Sequence, residues 1–468
     1  MTADGPAPAG RAGGHGGRPH TVLVTGAGGA GRTTVAAASA LAAARAGQRV
    51  LLLTTEDPGV PEALLDLPPA ETRGSGPAAT AAAPSGPRPV AVGAVPGLWA
   101  ARTAPDDSFR ELTAGLLRRA RAALELVGTE PLDEDEITAL PGAEALALLR
   151  ALRAAHASGG PGAGGAASPY GPWDTVVVDL PPAPQALRLL ALPEQLGRTL
   201  RRLLPPEKQA ARALHPLLAQ LAGVPMPAPR VYETADRWRR ELAATRAVLE
   251  SPGTSVRLVA EPGPLAADPL GTARAALALH GVRLGALVAN RVLPADSPDP
   301  WLAGLAEQQR AALKEFRELC APGCPGDPPA LCELPHLGRA PLGVAALAEL
   351  AAPLPVPGDG TEPSATAAPS DRGGADGAPS AGRLEDRLTA EGQLHWVLPL
   401  PGARRELLDL VRRGDDLLVS VGPHRRLLSL PAALRRCRVA GAALRDGELR
   451  VRFTPDPALW PRSARPFG

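Results

Sequence analysis

Short apolar runs alternate along most of the chain with longer segments whose apolar positions recur at helical spacing. The runs Thr21 to Thr25, Arg49 to Leu53, Thr175 to Asp179, Thr254 to Ala260 and Leu284 to Ala289 predict strands, and their continuous apolar character suits strands buried on both faces. Between and after them, helical spacing covers Val35 to about Ala46, Phe109 to Val127, Ala145 to His156, Leu187 to Leu204, Tyr232 to Leu249 and Leu270 to Leu279. Pro193 is expected to break the fourth of these, and Gly47 suits the C-cap of the first. Repeated strand-helix alternation predicts an α/β fold with a parallel, doubly wound sheet. Beyond residue 390 the texture changes to short strands, Leu394 to Leu400, Asp416 to Val421, Arg425 to Leu430, Arg438 to Ala443 and Glu448 to Phe453. Pro401-Gly402, Gly422-Pro423 and Asp446-Gly447 supply turns, so a small all-β sandwich is expected over 391–455.

Segments rich in Pro, Gly, Ala and Ser separate these units. Residues 1–20 and 456–468 read as tails, 68–90 and 157–172 as mobile surface insertions, and 353–390 as a linker between domains.

Composition changes the picture little. A chain of 468 residues is long enough for roughly two to four domains and a large core. Lys+Arg 50 against Asp+Glu 48 leaves a net charge of +2, which gives no global field toward nucleic acid or a membrane surface. Only Lys208 and Lys314 are lysines, and with 55 Pro and 51 Gly the preference for Arg reads as GC-rich coding. No apolar leader or membrane-length apolar run is present, so a soluble cytoplasmic protein without an integral membrane segment is expected. Four cysteines in so long a chain do not make a disulfide framework.

The chemistry is concentrated at Gly26-Ala27-Gly28-Gly29-Ala30-Gly31-Arg32-Thr33-Thr34. Strand, glycine-rich loop and helix follow in the order a phosphate-binding loop requires, with backbone N–H groups and a helix N-terminus converging on one anion. Thr33 stands where a loop hydroxyl would hold Mg²⁺, and Arg32 stands where a lysine is usual. At the next strand end, Thr54-Thr55-Glu56-Asp57-Pro58 offers Asp57 as the group that orients an attacking water, or an ordinary Asp-Pro turn. Asp179 closes a buried β-branched run and would hold Mg²⁺ through water. Asn290 either contacts a base edge or caps a turn. Cys320, Cys324 and Cys332, with His336, could hold zinc or could be free thiols in a loop. The acidic patch Asp133 to Glu136 reads as a solvated loop or helix start.

With these residues in place, the chain resembles the ArsA family, which comprises arsenite-pump ATPases and the related ATPases that target tail-anchored membrane proteins. The resemblance rests on TGAGGAGRTTVAAASALAAARAGQRVLLLTTEDP, VVVDLPPAPQALRLLALPEQLGRTLRRLLP, TSVRLVAEP, LGALVANRVLP and the Gln-bearing helix Leu305 to Leu319, in family order. It implies a P-loop NTPase domain over 21–352, with a helical subdomain at about 105–156 and 205–250, to which PGAE at Pro141 to Glu144 belongs. It also implies ATP and Mg²⁺ as cofactors. Gly26, Gly28, Gly29, Gly31, Arg32, Thr33 and Thr34 would line the phosphates, and Thr33 and Asp179 would serve Mg²⁺. Asp57, or Glu56 if the register differs by one, would activate water, and Asn290 would contact adenine. LPLPGARRELLDL, SLPAALRRCRVAGA and RDGELRVRF resemble the alpha-crystallin (small heat-shock) domain, without its long dimerising strand-loop or I-x-I tail.

The departures from the family pattern bear on function. The family has a loop lysine that reaches a dimer partner's nucleotide, and Ala27 occupies that position; Arg32 occupies the second lysine's. Pro184 replaces a flexible glycine. The expected function is therefore an ATP-binding protein of this class, a homodimer in which slow hydrolysis accompanies closure around a protein client or partner. A pseudo-ATPase adaptor is the alternative, and an arsenite-pump subunit the third reading.

Overall fold

The computed structural model describes residues 18–57, 59–69, 88–103, 143–157, 172–203, 229–321, 328–358 and 382–460. The expected helix Phe109 to Val127, the acidic patch Asp133 to Glu136 and Cys324 lie outside the described residues.

The first eight strands are β1 (His20–Gly26), β2 (Val50–Thr54), β3 (Val90–Ala91), β4 (Leu98–Arg102), β5 (Thr175–Asp179), β6 (Thr254–Ala260), β7 (Arg283–Val292) and β8 (Ala330–Pro335). They form one sheet in the order β3-β4-β2-β5-β1-β6-β7-β8, parallel throughout except where β3 pairs with β4. Every residue of β2, β5 and β6 is buried, which is why these strands read as unbroken apolar runs. On one face lie α1 (Arg32–Arg45), α2 (Gly59–Leu65) and α8 (Gly343–Ala351), packed with Val22, Leu52 and Val177. On the other lie α3 (Ala143–Ala157), α4 (Ala183–Leu203), α6 (Ala267–Leu279) and α7 (Pro300–Leu319), packed with Leu23, Val178 and Leu258. Helix α5 (Pro229–Leu249) adds Val248 and Leu249 to the second core. The expected doubly wound parallel sheet is present.

Two readings of local structure change. Pro193 does not divide α4, which runs unbroken across it. Proline forfeits one N–H bond there, but Leu189, Leu190 and Pro193 are all buried, and that packing holds the helix together. The stretch around Cys332, expected to be a loop, is the outer strand β8.

The C-terminal unit contains β9 (Arg383–Arg387), β10 (Gln393–Pro399), β11 (Leu408–Arg413), β12 (Asp416–Val421), β13 (His424–Ser429), β14 (Cys437–Arg445) and β15 (Glu448–Pro455). One sheet is ordered β14-β15-β10-β9 and the other β11-β12-β13. Strand β9 falls inside the stretch expected to be linker. The sandwich core of Trp396, Leu398, Val419, Val451 and Phe453 also contains Ala275 and Leu279 of α6. The two units thus share a core. Gly402 and Gly271 meet backbone to backbone, and a Cβ on Gly402 would lie 2.7 Å from the Gly271 carbonyl.

One arginine reinforces this contact. Arg426 on β13, 6% exposed, donates Nε to Glu194 of α4 at 2.9 Å and Nη1 to the Leu279 carbonyl at 2.6 Å. Glu250 lies 3.6 Å from its Nη2. Arg198, one turn along α4 from Glu194, donates to the Leu427 carbonyl at 2.8 Å. A buried guanidinium keeps its charge only with such partners.

His280 lies under this junction, and burial first, then the Arg426 charge and His424, push its pKa down to about 4 against the pull of Glu194. His156, bonded to Thr21 Oγ1 at 2.7 Å, is pushed to about 4 by burial and by Arg18. A depressed histidine leaves the folded state holding fewer protons than the unfolded state. Its stability contribution is therefore intact above the ordinary 6.5 and is lost as pH falls toward 4. Urea unfolding at pH 7 and pH 4.5 is expected to show a smaller loss in His280→Gln than in the unaltered protein, by about 2 kcal/mol. Equal losses would mean that His280 is protonated in the folded state.

Candidate phosphate-binding site

The loop from Gly26 to Gly31 joins β1 to α1 at the C-terminal edge of the sheet. Strand β6 passes so close that a Cβ on Gly26 would overlap the Val259 carbonyl, and the Ala27 N–H donates to that same carbonyl at 3.0 Å. Gly31 takes the left-handed conformation, φ 84°, at the N-cap of α1. No side chain caps this helix, so its first N–H groups and positive dipole end serve the loop. Ala27, Gly28 and Gly29 are exposed.

Asp179 ends β5 directly beside Val24 of β1 and is 2% exposed. Thr54 Oγ1, at the end of β2, donates to Asp179 Oδ2 at 3.0 Å. Its Oδ1 is buried and has no hydrogen-bond partner among the described residues. Burial pushes the Asp179 pKa up to about 6 against the hydroxyls of Thr33 and Thr54 and the charge of Arg32, while Glu56 adds to the rise. A buried carboxylate with an orphaned oxygen, beside the loop hydroxyl of Thr33, fits a divalent cation. Thr33 and Asp179 are the residues that would hold Mg²⁺.

Arg32 does not turn back into the loop. Its Nη1 donates to the Leu180 carbonyl, and its Nη2 lies 4.0 Å from Glu56 Oε1. The guanidinium therefore joins the segment after β5 to the segment after β2. Glu56 is the carboxylate that faces this cation. Asp57 is exposed, and its carbonyl accepts the Val60 N–H at 3.0 Å at the start of α2. Asn290, 5% exposed, donates Nδ2 to the Ala30 carbonyl at 2.8 Å, so its amide braces the loop.

Other supports escaped sequence reading. Thr25 Oγ1 donates to the Pro181 carbonyl at 2.7 Å and ties β1 to the segment leading into α4. Gln309 of α7 holds the end of β7, donating to the Arg291 carbonyl at 3.1 Å and accepting from Leu293 at 2.8 Å. Pro184 sits in the first turn of α4, where a missing N–H costs no helical bond. Only the hydroxyl character of Thr25 and Thr54 at strand ends marked them in the sequence.

Among the described residues no group of His, Cys, Asp and Glu could hold a metal through several side chains. Cys320 and Cys332 are free thiols. Burial pushes Cys320 up to about 11 and raises Cys332, which disfavours the thiolate that metals require. His336 Nδ1 accepts the Gly338 N–H at 3.0 Å.

A raised carboxylate pKa stabilises the fold below the ordinary 3.8 and loses that contribution as pH rises through about 6. At neutral pH the ionised Asp179 therefore strains the empty fold. Asp179→Asn is expected to raise the stability of the metal-free protein at pH 7.5 by about 2 to 3 kcal/mol and to abolish any Mg²⁺-dependent rise in melting temperature. An unchanged metal response in the variant would remove Asp179 from the cation site.

The sequence has counterparts among known proteins. Residues 20–354 match the ArsA anion-transporting ATPase family, and residues 391–453 match the HSP20-like domain found in ArsA. An uncharacterized protein of Streptomyces coelicolor is 50% identical over 443 residues, covering 94% of this chain and 99% of that one. A protein of Mycobacterium tuberculosis is 30% identical over 455 residues, covering 94% and 97%. A protein of Aquifex aeolicus, provisionally named arsenical pump-driving ATPase 1, is 20% identical over 435 residues, covering 92% and 98%. The match over residues 20–354, well over half of the chain, shows that this chain belongs to the ArsA anion-transporting ATPase family.

Proposed function

We propose that this protein binds Mg²⁺-ATP at the loop between β1 and α1, hydrolyses it slowly, and works in the cytoplasm as a homodimer whose closure is coupled to a protein client or partner. The observation that carries the nucleotide reading is the orphaned Oδ1 of buried Asp179 beside Thr33. A bound Mg²⁺ would supply charge neutralisation for the phosphates. The chain's own residues then divide the work. Loop N–H groups and the α1 N-terminus hold the phosphate oxygens, Thr33 and Asp179 position the cation, and Asn290 keeps the loop open by bonding Ala30. Glu56 and Asp57 are the two carboxylates from which a water would be oriented, and the Glu56 side chain is the one that faces Arg32.

Slow turnover follows from the cations. Ala27 offers none, and Arg32 is engaged with the Leu180 carbonyl and Glu56. A well-placed cation at a transferring phosphoryl group contributes about 10³ to 10⁵ in rate. The same engagement of Arg32 supports the second reading, a nucleotide-binding or nucleotide-independent adaptor without turnover. For an arsenite-pump role the support is the name of distant relatives. The raised thiols of half-buried Cys320 and buried Cys332 do not favour it.

Calorimetry with Mg²⁺-ATP is expected to show saturable heat at millimolar nucleotide or below, and its absence would overturn the nucleotide reading. Steady-state hydrolysis is expected to rise by roughly tenfold or more in Ala27→Lys/Arg32→Lys, since each substitution returns an ammonium to the loop. A double variant no faster than the starting protein would show that the loop cations do not limit turnover.

A further inference from the structure

A cavity of about 840 Å³ lies between the two units. One wall is the first half of the phosphate loop, Gly26 to Ala30; others are Pro182 to Pro184 with Leu187, and the start of α6. The β-sandwich closes it with Arg404, Glu406, Leu407, Pro423 and His424. A terminal phosphate leaving the loop on the Ala27–Gly29 side would enter this space. Arg32 does not line it. Of the described residues that do, Arg404 carries the one permanent positive charge.

Arg404 is poised to be recruited. Its Nη1 lies 2.6 Å from Asp268 and its Nε 3.8 Å from Glu406. All three side chains are more than half exposed, at 52%, 75% and 72% respectively, so neither pair is strong enough to fix the guanidinium. The third acidic residue on the wall, Glu261, already has Arg291 at 3.1 Å. A guanidinium is also the side chain best matched to a phosphate, through paired and charge-assisted N–H bonds. The junction that carries Arg404 is fixed by Arg426, by the shared core and by the Gly271–Gly402 approach, so its distance from the loop does not depend on a loose tether.

We propose that Arg404 of the β-sandwich leaves Asp268 and binds the terminal phosphate of ATP held by the loop, so that the C-terminal unit completes the nucleotide site and makes it selective for triphosphate over diphosphate. This rests on the reading of the loop as an ATP site. It assigns the sandwich a direct chemical part in that site and gives the chain a second source of the cation missing at Ala27.

The test compares ATP and ADP affinities, by calorimetry with Mg²⁺, in the full-length protein and in Arg404→Gln, Arg404→Lys and Asp268→Asn. Arg404→Gln is expected to weaken ATP about tenfold to a hundredfold, the range for a lost charged hydrogen bond, with ADP unchanged. Arg404→Lys should restore part of the loss. Asp268→Asn breaks the same ion pair from the other side, so it is expected to leave ATP affinity equal or tighter. Parallel weakening in Arg404→Gln and Asp268→Asn would show that the pair only fastens the two units and would overturn the proposal. Equal effects on ATP and ADP, or no effect, would overturn it too. If the unaltered protein binds neither nucleotide, the reading of the loop fails; if it binds both and Arg404→Gln behaves like it, the role of Arg404 alone fails.

Discussion

The candidate phosphate-binding edge of this sheet is organised around one uncomfortable group, the Asp179 carboxylate. It stands at the end of β5, flanked by β1 and β2, with one oxygen hydrogen-bonded to Thr54 and the other short of a hydrogen bond among the described residues although the Thr33 hydroxyl is nearby. Burial of an incompletely paired carboxylate costs folding free energy. It is held there by strands on either side that are buried along nearly all of their length. The strain is then local and is relieved by charge. A cation beside Thr33 would remove the penalty, so that metal affinity and the stability of the metal-free protein would be two sides of one desolvation cost.

The second organising feature is the junction between the parallel sheet and the sandwich. Helix α6 contributes Ala275 and Leu279 to the sandwich core, and α4 contacts β13 through Glu194 and Arg198. Helix α4 begins just past Leu180, whose carbonyl takes the Arg32 guanidinium. One helix therefore touches the phosphate-loop arginine's anchor at its start and the sandwich toward its end. The segment after Asp179 and Arg426 of the sandwich are thus joined through α4 by a continuous run of helix and direct contacts.

How much of this was legible depends on what each segment buries. TVVVD, TSVRLVA and TVLVT announced themselves because strands covered on both faces must be apolar and β-branched at successive positions. Strand β4, LWAAR, lacks β-branched residues, and β8, ALCELP, was masked by a cysteine spacing that suggested a loop. Strand β9, RLEDR, is an exposed edge whose residues are chosen to resist further pairing, so its composition imitates a linker. Within the candidate site, the loop residues, Thr33 and Asp179 stand out as a motif because a strand, glycine loop and helix in succession and a strand-end carboxylate are local features of sequence. The facing of Glu56 rather than Asp57 toward Arg32, the bracing of Ala30 by Asn290 and the hydroxyl of Thr54 on Asp179 depend on which strand ends become neighbours. No single stretch of sequence contains that information.

Arginine at position 32 illustrates the same point in energetic terms. A lysine there would place a compact ammonium within reach of the loop's anion. The longer planar guanidinium instead finds a carbonyl on one side and a carboxylate on the other, at Leu180 and Glu56. It thereby spans the segment after β5 and the segment after β2. The substitution keeps the charge and relocates it from the phosphates to the machinery around them. Under the proposed reading, such a site would hold one state for a long time and leave the terminal phosphate to be met from the cavity side, where the sandwich stands.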